Sequence, residues 1–214
     1  MKNFGRLLSG VLFVCAASYA HADIMFSPTQ SGGGTVDNVV FNQQPNNQTG
    51  NPVFGNINVT GNPLVVLGGN ETLITPSGGQ ARVEALDGGL NFLDVSLAAA
   101  GTGFDSAVFN LNSPNGTAGT ATITAFNQFG GSETFSLALG NGQNFFTLTT
   151  DAAQFITDVR ISSTVGLEDV RQIRLGPVQA APVPGPIVGA GLPGLIMAAG
   201  GLLALARRRR KVSR

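Results

Sequence analysis

Between residues 35 and 178 the chain alternates apolar and polar side chains in short runs, broken about every 8–12 residues by Gly, Asn and Pro. A period of two sends one set of side chains to a core and the other to water, which is the pattern of antiparallel sheets. Ala121, Ile123 and Ala125 alternate with Thr120, Thr122 and Thr124; Phe135 and Leu137 alternate with Ser132, Thr134 and Ser136. Phe155, Thr157, Val159 and Ile161 share one face, Asp158 and Arg160 the other. No helical period of similar length competes in this body, and roughly ten strands are expected. Asn115-Gly116, Asn141-Gly142 and Asp87-Gly88-Gly89 read as hairpin turns, because Asn and Gly accept positive φ. Val170, Ile173 and Leu175 break parity, which a bulge near Arg171 would reconcile. Residues 27–52, rich in Gly, Asn, Gln and Pro, read as a loose leader around one strand at 35–41. The fold expected is all-β: an antiparallel, jelly-roll-like β-sandwich.

The two ends differ from this body, and a helix is expected in each. Residues 1–22 open with Lys2 and Arg6, continue through an apolar stretch too short to span a bilayer, and close on Ala20-His21-Ala22. That is a signal peptide, with Ala20 and Ala22 as the small residues a signal peptidase reads. Val14 before Cys15 argues against lipoprotein processing, so Cys15 leaves with the signal. The extracytoplasmic body is then 23–181, and a tail follows at 182–214. Residues 182–186 form a stiff Pro-rich linker. Residues 187–206 carry no charge, and as a helix they would span about 30 Å, the thickness of a bilayer core. Arg207, Arg208, Arg209, Arg210 and Lys211 follow at once and belong on the cytoplasmic side. Both ends therefore agree on an exported body.

Val183-Pro184-Gly185-Pro186, the apolar span and the basic cluster, in that order, resemble a PEP-CTERM sorting signal. Gly185 stands where that family usually has glutamate. The resemblance implies a Gram-negative bacterium and an exosortase that processes the tail. It further implies delivery to the cell surface, a biofilm or an exopolysaccharide matrix. Asn141-Gly142-Gln143-Asn144-Phe145-Phe146-Thr147, with residues 169–175, is similar to β-sandwich ectodomains fused to such tails. The bland alternative for the tail is a single-pass membrane anchor.

Composition narrows the chemistry. Beyond the signal peptide there is no Cys, His, Trp or Tyr, so no disulfide can form and the usual nucleophile–base pairs are missing. Residues 23–186 hold four arginines against all twelve carboxylates, a net charge of −8 that repels nucleic acid. Gly189–Gly194 matches a dinucleotide-binding pattern, but it follows a proline linker rather than a strand. Gly101-Thr102-Gly103-Phe104-Asp105 is a single copy of a calcium-repeat-like stretch, and Glu168-Asp169 is a lone acidic pair. No cofactor or metal site is expected. Glu84, Asp87, Asp94, Asp105 and Glu133 are of a type that a glycosidase could use, but nothing in their spacing selects a pair.

Two functions remain: a structural or adhesive surface protein, or a carbohydrate-binding module displayed at the surface. Without Trp or Tyr to stack on sugar rings, the first is favoured. Phe92, Phe109, Phe126, Phe135 and Phe155 fall where strands need inward residues, and adjacent Phe145 and Phe146 must point to opposite faces.

Overall fold

The structure is a computed structural model that describes residues 24–30, 35–44, 47–76, 81–151 and 154–181. Ala20, Ala22, Val183–Pro186 and Arg207–Lys211 lie outside these residues, as do the helices expected at the two ends. Among the described residues no helix is long and apolar enough to cross a membrane. The chain divides into two units after Gln179, and the first carries the fold.

That fold is all-β. Its strands are β1 (Met25–Ser27), β2 (Asp37–Val40), β3 (Thr49–Gly50), β4 (Val53–Ile57), β5 (Leu64–Gly69), β6 (Leu73–Ile74), β7 (Arg82–Ala85), β8 (Leu90–Leu97), β9 (Thr102–Asn112), β10 (Gly119–Asn127), β11 (Ser132–Leu139), β12 (Asn144–Thr149), β13 (Ile156–Leu167) and β14 (Asp169–Ala180). Neighbours run β1-β12-β9-β13-β8-β5-β4-β2-β14-β7-β6-β3, with β10 and β11 branching from β13 and a further β9–β14 pairing. The strands thus wrap one core as a barrel-like antiparallel sandwich.

The alternation in the sequence becomes burial. Ala121, Ile123 and Ala125 of β10, Val159 and Ile161 of β13, and Leu93 and Val95 of β8 are all buried. β9 is enclosed on both faces: Phe109 and Leu111 enter the core, while Ser106 Oγ donates to Gly176 O and Asn110 Nδ2 to Gln172 Oε1, both of β14. Phe109 stacks on Phe146 at 5.0 Å and Phe146 on Phe26 at 6.0 Å; Phe26 in turn lies 5.0 Å from Phe135. This aromatic column ties β1 to the far side of the core. The described part of the leader expected at 27–52, and the residues just before it, therefore do more than trail: β1 zips onto β12, and Val39 of β2 is fully buried.

Gly88 and Gly142 do take positive φ, as do Asn115 and Gly116, yet the strands flanking these turns are not hairpin partners. β7 pairs with β6 and β14, whereas β8 pairs with β5 and β13. The turns reverse the chain; burial of the apolar faces decides which strand lies alongside. The parity break in β14 falls at Gln172, whose φ of 53° lets Val170, Ile173 and Leu175 all be buried.

One close approach is unforgiving. A Cβ on Gly103 would lie 2.2 Å from Ile156 O, where β9 meets β13. Gly103→Ala should therefore lower stability by about 1–3 kcal/mol or more, because backbone must move to admit it. Gly140→Ala, with nothing within 4 Å, is the control and should be near neutral in thermal unfolding.

Candidate functional site

The sheet β4-β5-β8-β13-β10-β11 has one face on the core, and its register defines the other. Paired residues point to the same side, so one row across the outer face reads Phe54, Val66, Ser96, Asp158, Phe126, Ser132. The next row reads Gly68, Asp94, Arg160, Thr124, Thr134, and a third reads Phe92, Ser162, Thr122, Ser136. Phe92 and Phe126 are thus on the outer face, half-buried, not inward as their hydrophobicity suggests. Leu93 and Val95 take the core side of β8, and Ala125 takes it in β10. Phe109 and Phe155 are buried and Phe135 packs against the core, as expected. Phe146 is fully buried, while Phe145, on the opposite face, is half-buried.

Charge gathers at the centre of this outer face. Arg160 Nε donates to Asp94 Oδ2 at 3.0 Å and stands 3.4 Å from Asp158 Oδ1. Its guanidinium carbon lies 4.5 Å from the centroid of the Phe126 ring, a cation–π contact that fixes the long side chain. Asp158 is pushed up to about 7, first by burial, then by the hydrogen bond and like charge of Asp94, with Arg160 opposing. Asp158 Oδ1 is enclosed without a hydrogen-bond partner among the described residues.

A second charged group is structural in character. Asp169, 2% exposed, meets Arg171 Nε at 2.8 Å and Arg82 Nε at 3.4 Å, and Arg82 also pairs with Glu84. Burial raises Asp169 despite both arginines. Glu168 accepts from Asn112 Nδ2, and Asp105 from Gln179 Nε2. The acidic pair Glu168-Asp169 is thus split between separate partners, and Asp105 of the calcium-repeat-like stretch is engaged by Gln179. Among the described residues no three metal-ligating side chains gather.

Of the five carboxylates a glycosidase could use, the structure sets Asp94 against Asp158. The two carboxylates share Arg160, whose Nε lies 3.0 Å from Asp94 Oδ2 and 3.4 Å from Asp158 Oδ1. The partnership joins residues 64 positions apart, which no local spacing announces.

No protein-family model matches the chain, and no curated protein does. Among solved structures it is similar to a mutant family 29 carbohydrate-binding module in complex with mannohexaose. Identity is 13%, with 70% of this chain and 92% of that chain covered, and the TM-score of 0.17 is too low to bear on fold or function.

Proposed function

We propose that the chain is an exported surface or exopolysaccharide-matrix protein, structural or adhesive rather than catalytic, carried to its destination by its C-terminal tail. The observation that carries this reading is the ordered tail: the last strand ends at Ala180, and Val183-Pro184-Gly185-Pro186, the apolar span and Arg207–Lys211 follow without interruption. The basic cluster stalls translocation, the span lodges in the inner membrane, and the linker carries the segment that is cleaved. Signal peptidase and exosortase are the partners this requires.

The expected product begins at Asp23 and lacks 207–214. Mass spectrometry of surface material, digested with a protease that spares arginine, tests this. Recovery of an intact C-terminal peptide there would overturn processing and leave a plain membrane anchor.

A further inference from the structure

We propose that an uncharged polysaccharide lies across the outer face of β4, β5 and β8, along the diagonal Phe54–Gly68–Phe92, with Asp94 and Arg160 hydrogen-bonding its hydroxyls. The proposal deepens the matrix reading by naming the polymer class and its seat, and rests on that reading only for where the polymer is met.

The wet face of an antiparallel sheet is ordinarily polar. Here it carries phenylalanines at both ends of a line whose midpoint has no side chain. The register puts Phe54 beside Val66 on β5, Gly68 two residues further along β5, and Phe92 two residues beyond Asp94 on β8. Two strand spacings and four residues of rise separate the backbone positions of the two phenylalanines by roughly 16–17 Å. That span suits several linked sugar rings better than one. A Cβ at Gly68 would meet only Asn51 Oδ1 at 3.9 Å and Asp94 Cβ at 4.0 Å, so the face is open to a ligand at the midpoint of the line, a shallow trough where a larger side chain would stand. Sugar rings offer C–H faces to apolar rings and hydroxyls to charged groups, and both are supplied. Phe92 and Phe54 line the ends. Asp94 accepts and Arg160 donates beside the trough, the arginine held in place by Phe126.

Charge selects the class of polymer. The body is at −8, so an acidic polysaccharide is repelled. A protein partner would want an apolar centre with charge at the rim. This face has the reverse.

The test uses the full chain in detergent, against immobilised uncharged polysaccharides (a β-glucan, a mannan, a galactan, and uncharged polymer extracted from the producing cells) and against a polyuronate. Retention on at least one uncharged polymer is expected, with little on the polyuronate. Gly68→Leu, which fills the trough, and Phe92→Ala should each weaken retention on the order of tenfold or more. Phe129→Ala, removing an exposed ring at the β10–β11 turn, should leave it unchanged. Thermal unfolding of each variant separates lost binding from lost fold, and Gly68→Leu is the decisive variant because its neighbours leave room. Absence of retention on every uncharged polymer overturns the proposal. So does retention on the polyuronate alone, or retention that survives Gly68→Leu. The binding assay does not depend on cleavage of the tail, so failure here and failure of the processing reading are told apart.

Discussion

Phe146→Ala is expected to lower unfolding stability by about 3–5 kcal/mol, while Phe145→Ala costs less than half as much. The difference follows from strand geometry and not from chemistry, since the two side chains are identical and adjacent. Phe146 is fully buried, pairs with Phe109 across β9 and β12, and stacks on both Phe109 and Phe26. Removing it opens a cavity at the middle of the aromatic column and strips Phe26 of a contact that holds β1 against the core. Phe145 pairs with Asn110 on the opposite face and is only half-buried. At about 2–4 °C per kcal/mol for a domain of this size, the midpoints should separate by several degrees or more. Thermal unfolding followed by circular dichroism decides it. Equal losses would mean that the register of β12 against β9 is wrong.

What was legible in the sequence is parity. In β10, β11 and β13 the small and branched apolar residues that alternate with Thr, Ser, Asp and Arg are the buried ones, and the bulge wanted near Arg171 falls one residue on, at Gln172. Phe92 and Phe126 show where hydrophobicity alone misleads. Phe92 shares parity with Asp94 and Ser96, and Phe126 with Thr120, Thr122 and Thr124, so alternation already points them outward. Treating a large apolar ring as inward by default hides the feature that makes the outer face unusual. The meeting of Asp94 and Asp158 at Arg160 lay beyond this kind of reading. It depends on β8 and β13 pairing across a long loop-out of chain with Asp94 opposite Arg160, and a period of two says nothing about which strands meet. Turn chemistry failed for the same reason: glycine at positive φ reverses the chain at Gly88 and Gly142 without choosing the neighbour.

Stability is expected to fall as pH rises from about 4 to about 7 and to level off above, with Asp158 as the main cause. Its carboxyl is pushed up to about 7 in the folded protein, against an ordinary value of 3.8. Between those values the folded state keeps the proton and the unfolded chain has lost it. The native state therefore binds more protons, and stability declines with pH across that window. The contribution is whole below about 4 and gone above about 7. At 1.36 kcal/mol per unit, discounted for solvent screening of this half-buried carboxyl, the contribution is on the order of 2 kcal/mol. Asp169, also raised by burial, acts in the same direction. Asp158→Asn removes the titrating proton and the like charge beside Asp94 while keeping the side-chain shape. It should match the parent chain near pH 4 and exceed it by about 2 kcal/mol or more near pH 8, where the parent holds two carboxylates against the single Arg160 guanidinium. Denaturant midpoints at pH 4, 6 and 8 measure both curves. A parent whose stability rises over that range, or an Asn variant weaker than the parent at pH 8, would show that Arg160 outweighs burial and repulsion at this site.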